Sequence, residues 1–333
     1  MSKKTSYQPN VEHLETRELL ASGLSFSGGI VRIYGDNGEN HATVKQSGSN
    51  IIITTESWNR SFNRTSVSAV AFYGKGGNDE FYNNTSVRTY AWGDAGNDIL
   101  VANSGWDKLY GGSGNDILKG HSGNDTLKGG SGNDYIDAGH GSDKIWGNDG
   151  NDTIYAGTGN DTIDGGRGSD HMRGEDGHDK ITAGEWVYRN SKWSIDYSSS
   201  TDRDTLIGGE HNDTFFGGKG ADYLEGNGGN DYLRGSAGND TIEGGTGNDT
   251  LRGGLGNDLL VFQGNRNLGA DHIPWDQRYR WNNQGVDTMD FRNFHVGTGI
   301  SLNLAKTGHY QELNNSLKLK FDGNGAVDHV FGT

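Results

Sequence analysis

Gly111-Gly112-Ser113-Gly114-Asn115-Asp116-Ile117-Leu118-Lys119 is one member of a run of nine-residue units whose reading decides the fold. Counted outward from it, the frame begins at Gly93 and runs without slippage through Thr182, giving ten consecutive units, each with Gly at position four and Asp at position six. These aspartates are Asp98, Asp107, Asp116, Asp125, Asp134, Asp143, Asp152, Asp161, Asp170 and Asp179. A second frame, Ser199 to Val261, adds seven more at Asp204, Asp213, Asp222, Asp231, Asp240, Asp249 and Asp258, and an outlying unit, Gly74–Tyr82, places Asp79.

Position eight of both frames is always a large apolar residue, from Leu100 and Leu109 through Ile181 to Leu260, so one apolar side chain per unit is expected to face inward. Positions seven and nine are often polar. This alternation is the period-2 signature of a short strand, here three residues long, and it leaves the first six residues as a turn. Gly at positions one, two and four supplies positive φ without steric penalty, and Asn at position five is the next most tolerant residue.

One such strand cannot close on itself, so two units are expected to make one eighteen-residue coil. The fold class is all-β: a right-handed parallel β-roll, a β-helix solenoid, with irregular β caps at both ends. Turns of units n and n+2 share an edge, which places Asp98, Asp116, Asp134, Asp152 and Asp170 on one edge and Asp107, Asp125, Asp143, Asp161 and Asp179 on the other. Carboxylates and turn carbonyls are hard oxygen ligands, and with no Cys in the chain they select Ca²⁺ over zinc or copper. Pairing n with n+2 inside each block gives eight and five sites, about 13 Ca²⁺ ions in all. Stacked aspartates about 5 Å apart repel one another, so the chain is expected to be largely unfolded without calcium and to fold on binding it.

The units resemble GGxGxDxUx, the RTX or hemolysin-type nonapeptide repeat. The resemblance implies a calcium-loaded roll that folds in extracellular calcium after leaving the cell unfolded, often through a type I secretion channel, and so a secreted or cell-surface location. It carries the ligand role most directly to Asp116, Asp125, Asp134, Asp152, Asp161, Asp231, Asp240 and Asp249. Three departures weaken individual turns: His211 and Asp202 replace Gly at position four, and Trp106 stands at position five.

Composition agrees with this reading. The 333 residues include 57 Gly and are only 31% hydrophobic, too little for two conventional cores, yet 8 Trp, 14 Tyr and 11 Phe argue against disorder. A net charge of −15 disfavours nucleic acid and anionic membrane surfaces. No apolar run is long enough to span a membrane, and the basic start of the chain lacks the apolar stretch of an ordinary secretory signal.

Outside the repeats, residues 1–23 form a tail in which Val11–Ala21 resembles the LEPR-xLL segment of some large exported bacterial proteins. Residues 24–73 read as an N-terminal β-cap, with strand-like runs at Ile30–Tyr34, Ile51–Thr55 and Val67–Tyr73. The first roll block spans 74–182 and the second 199–261, separated by an insert at 183–198 containing Trp186, Tyr188, Trp193 and Tyr197. Two readings of these aromatics stand, packing against the roll or stacking on a carbohydrate, and they stand equally for Trp275, Tyr279 and Trp281. After Phe262 the repeats stop, and 262–333 reads as a C-terminal β-cap.

No HExxH helix, GxSxG elbow or cysteine nucleophile occurs. The expectation is a non-enzymatic structural, surface or matrix protein whose partners are calcium ions, with polysaccharide or a cell-surface matrix as a candidate partner. The alternative is a calcium-dependent polysaccharide-binding or polysaccharide-modifying enzyme.

Overall fold

The computed structural model describes residues 23–183, 203–262 and 271–273, together with the backbone of strands Glu185–Arg189, Lys192–Asp196, Thr288–Asp290, Ile300–Ser301, Tyr310–Glu312, Leu317–Phe321 and His329–Phe331. Successive units alternate between two long sheets of sixteen and fifteen strands, so each strand pairs with the one two units away. The pairing is parallel and keeps identical positions side by side. Leu109 lies beside Leu127 and Leu127 beside Ile145 in one sheet, and Leu118 beside Ile136 in the other. The result is a β-solenoid in which each coil takes two units.

The core is the column of position-eight side chains. Leu100, Leu109, Leu118, Leu127, Ile136 and Ile145 are completely buried, while positions seven and nine face outward. With one large apolar residue per unit, the space between the sheets is narrow. Position one also turns inward and is buried, as at Gly111, Gly129 and Ala138. A larger residue there would have no room.

Strands are longer than the expected three residues. Most span six, as in Lys108–Ser113 and Thr126–Ser131, covering positions seven to nine and the first three of the next unit. Only positions four to six form the turn. The extension requires a bend: the register skips position one, resuming at Gly112 beside Gly130, and position two takes positive φ even when it is not glycine, as at Asp94, His121 and Asn148.

The insert does not interrupt the stack. Met172 pairs with Leu206 and Ile181 with Phe215, so the second block continues the first, and the insert's strands Glu185–Arg189 and Lys192–Asp196 form a separate antiparallel hairpin. The insert's aromatic side chains, Trp275, Tyr279 and Trp281, and residues 1–22 lie outside the described residues. Both sheets also run past Phe262, since Thr288–Asp290 and then His329–Phe331 extend one, and Leu317–Phe321 extends the other.

The N-terminal end is closed differently. Leu24–Ser27 folds antiparallel onto Ile30–Tyr34, ending one sheet, and the meander His41–Ser47, Asn50–Thr55, Asn59–Asn63 ends the other. Antiparallel hairpins turn a bare parallel edge away from further pairing. Val31, Val44, Ile51, Ile53 and Val70 give this end a denser apolar core than the roll possesses.

Candidate metal centre

Each turn ends in an aspartate that the backbone carries into the interior. Every repeat aspartate identified in the sequence is buried, from fully buried Asp79 and Asp98 to Asp204 at 5% exposure. Its two oxygens have different surroundings. Oδ1 accepts a hydrogen bond from the backbone N–H of the aspartate one coil earlier: Asp98 N–H donates to Asp116 at 2.8 Å, Asp116 to Asp134 at 2.8 Å and Asp107 to Asp125 at 2.8 Å. Oδ2 of Asp79, Asp98, Asp107, Asp116, Asp125 and Asp134, and likewise of Asp143, Asp152, Asp161, Asp179, Asp231, Asp240 and Asp249, is buried with no hydrogen-bond partner.

Position-one glycine explains where that oxygen points. A Cβ placed on Gly111 would fall onto Asp116 Oδ2 and lie 2.7 Å from the carbonyl oxygen of Gly129. The missing side chain therefore leaves a cradle faced by a carboxylate oxygen and a carbonyl oxygen from the next coil on the same edge. Gly93, Gly120, Gly147, Gly226 and Gly244 have the same relation to their own unit's aspartate. This corrects the expected glycine roles: position one is small for space and does not appear among the positive-φ residues, whereas positions two and four take positive φ. Two oxygens facing each other without a proton donor are unfavourable unless a cation joins them. Among the described residues no three His, Asp or Glu side chains converge, so a cation would take carboxylates plus backbone carbonyls, an oxygen-only set suited to Ca²⁺.

Burial pushes these carboxyls up. Asp116, Asp143 and Asp152 rise to about 6, Asp98, Asp134 and Asp161 to about 7, and Asp125 and Asp231 to about 8. The N–H donated by the preceding aspartate pulls the other way, and for Asp98, Asp125, Asp134, Asp161 and Asp231 the neighbouring carboxylates push further up.

The ladders are continuous across the insert: Asp170 N–H donates to Asp204 at 2.7 Å and Asp179 N–H to Asp213 at 2.7 Å. They also extend beyond the repeat frame. Asn40 donates to Asp79 and Thr89 to Asp107, and Asp249 N–H donates to Asp271 at 3.0 Å. Asp271, 2% exposed and pushed up by burial to about 8, was missed because it follows Asp249 by 22 residues; its signal is the fragment Gly269-Ala270-Asp271-His272-Ile273.

Asn at position five has a role that turn tolerance does not describe. Asn115 N–H donates to Asn97 Oδ1 at 2.7 Å and Asn133 N–H to Asn115 Oδ1 at 2.7 Å, a second ladder whose side chains point forward along the chain while the aspartate side chains point back. Position four is stricter: Gly114 has φ of 126°, and a Cβ there would fall onto the Gly96 carbonyl. Gly114→Ala is expected to cost on the order of 3 kcal/mol, against about 1 kcal/mol for Asn115→Ala, both read from denaturant unfolding at fixed calcium. Equal costs would show that the turn tolerates a side chain at position four.

The atypical turns diverge from each other. At His211 the strained glycine conformation is absent, Gly209 N–H donates to Asp213 Oδ2 at 3.1 Å, and His211 contacts Asp176 at 2.9 Å, so the oxygen left open elsewhere is engaged. Trp106 points outward at 63% exposure and leaves Asp107 in the ordinary arrangement. Asp202 lies outside the described residues.

One contact chain resembles a catalytic relay. His41 touches Glu80 at 3.0 Å and Thr43 at 3.4 Å, but the Thr–His distance exceeds the reach of an activated nucleophile and the group lies on an exposed sheet face.

The model of the RTX calcium-binding nonapeptide repeat matches residues 90–118, 119–154, 146–181, 198–224 and 225–260. No curated protein matches the chain. Residues 90–181 and 198–260, where the aspartate ladders run, are RTX calcium-binding nonapeptide repeats.

Proposed function

We propose that this is a calcium-folded repeat protein acting outside the cytoplasm in a structural, surface or adhesive role, with one Ca²⁺ held between each pair of vertically adjacent turns. The observation that carries the reading is the row of buried, unpartnered Oδ2 atoms, with a backbone carbonyl of the next coil beside the position-one cradle at Gly93, Gly111, Gly120, Gly147 and Gly226. The ligands are the eighteen repeat aspartates and Asp271. From Asp79 to Asp258 one edge has nine intervals, and from Asp107 to Asp271 the other has eight, so the full complement is seventeen. This replaces the count of about 13, because the ladders cross the insert and reach beyond the frame. The intervals flanking Asp213 should fill last, since its Oδ2 already accepts a hydrogen bond.

The supporting chemistry is the absence of Cys and an oxygen-only donor set, and the low apolar content makes metal the substitute for a core. Calorimetric titration with calcium, checked by an anomalous-scattering map, tests the count. Fifteen to seventeen ions are expected, and fewer than ten would sink the interval-by-interval assignment.

A further inference from the structure

The outer face of the sixteen-stranded sheet carries an organised column that calcium binding does not use. Position-nine side chains stand in register from one coil to the next: Tyr34, Tyr73, Trp92, Tyr110, Lys128 and Trp146. The first four rings are stacked, with centroids 5.2, 4.8 and 5.6 Å apart and planes within 10° of parallel. Parallel rings in contact would have planes about 3.5 Å apart, so these rings are offset like shingles, and each leaves part of its face uncovered. Lys128 Nζ lies 4.7 Å from the Trp146 ring and continues the column.

The adjacent column, at position seven, is cationic. Lys108, Lys144 and Lys180 are exposed and recur at every second rung, separated by Thr126 and Thr162. Arg88 Nη1 donates to Tyr90 Oη at 3.4 Å and its guanidinium lies 5.9 Å from Trp106, extending the face toward that edge. Carboxylates stand near as well: Asp94 and Asp149 at the border, the latter met by Arg167 at 3.5 Å, and Asp164, 8% exposed, which follows Trp146 in the column. The equivalent columns of the other sheet mix Glu80, Asp137, Glu225 and Glu243 with their lysine and arginine. On a chain of net charge −15, a face combining ring surfaces with regularly spaced lysines is specific to one side.

From this juxtaposition we infer that the face binds a linear uronate-bearing polysaccharide laid along the solenoid axis. Ring faces offer the stacking that the C–H face of a pyranose accepts, and the lysines meet carboxylates. Strand spacing is about 4.8 Å, so the lysines recur at roughly 10 Å. A 1,4-linked hexose chain advances by close to one strand spacing per residue, which brings every second carboxylate to a lysine. The inference deepens the adhesive reading of Proposed function and rests on the calcium-loaded fold. Seventeen ions add thirty-four positive charges to the bare −15 and remove the general repulsion between protein and polyanion.

The test uses the full chain in millimolar calcium, with hexagalacturonate as the acidic probe, too short to gel, cellohexaose as the neutral one and a DNA oligomer as an unrelated polyanion. Calorimetry and tryptophan fluorescence read binding. Hexagalacturonate is expected to bind at least tenfold more tightly than either of the others. Trp92→Ala and Lys108→Glu/Lys144→Glu should each weaken it at least tenfold, and Tyr135→Ala on the opposite face should leave it unchanged. Circular dichroism in calcium should be the same for all variants, since the replaced side chains face outward. No binding, equal binding by the variants, or equal binding of cellohexaose or DNA would overturn the inference. Failure of the wild type to gain β structure in calcium would instead refute the calcium-folding reading beneath it.

Discussion

Stripping calcium at neutral pH is expected to convert most of the far-ultraviolet β signal to that of an unfolded chain, reversibly on return of millimolar calcium. The roll buries an aspartate in every unit, each at 5% exposure or less, against one large apolar side chain per unit. The effective penalty for taking an ion out of water is several kcal/mol, and it is repaid only by a partner charge with good geometry. Here the nearest charges are other aspartates in the same ladder, which repel. One hydrogen bond to Oδ1 recovers about 1.5–3 kcal/mol at best, and an Oδ2 such as that of Asp116, Asp125 or Asp134 recovers nothing from protein donors. With calcium each carboxylate gains an opposite charge, and binding free energy becomes folding free energy. The N-terminal end should resist longest, because Val31, Val44, Ile51, Ile53, Phe72 and Phe81 pack there without repeat aspartates around most of them. Limited proteolysis in chelator should therefore cut residues 90–260 first. An unchanged β signal in chelator would show that the apolar column holds the roll by itself.

Much of this was legible in the sequence because two positions are strict. Asp at six and Leu, Ile, Met or Phe at eight do not vary within the frames, so the inward column and the two aspartate edges could be assigned by counting. What counting could not supply depends on neighbours in space. Asp204 follows Asp170 by 34 residues and Asp271 follows Asp249 by 22, so an eighteen-residue rule splits the ladder where the structure joins it. Glycine at position one looks like a turn residue in sequence, but its reason is the Asp116 Oδ2 of its own unit and the carbonyl of the next coil. Asn at position five looks interchangeable with other turn formers until the stacked Asn97, Asn115 and Asn133 show one side chain bonding the next backbone. The aromatic column is likewise invisible to a nine-residue frame, since Tyr34, Tyr73 and Trp92 are brought together through the irregular N-terminal cap and the loop after Asn84.

Acid should replace calcium in part. In buffer freed of calcium by a chelating resin, lowering the pH from about 8 to about 4.5 is expected to restore β structure to the roll. The direction follows from the sign of the shifts. Burial raises the folded-state values above the ordinary 3.8, to about 6 for Asp116, about 7 for Asp134 and about 8 for Asp125 and Asp271. The folded roll therefore binds protons more tightly than the unfolded chain does. The resulting stability is fully present below the unfolded value and is lost as pH rises through the folded values, so the loss spans the range from about 4 to about 8. A protonated carboxyl also gains a donor of its own. One proton per aspartate removes the ladder repulsion but supplies no positive charge to bridge coils, so the acid form should be less resistant to denaturant than the calcium form. The same linkage lowers the calcium requirement: as pH falls from 8 to 6 protons stabilise the metal-free roll against the unfolded chain, so the calcium concentration at half-folding should fall. A half-folding concentration independent of pH across that range would mean that these carboxyls titrate no higher in the roll than in the unfolded chain, and that burial alone is not what holds the metal-free chain open.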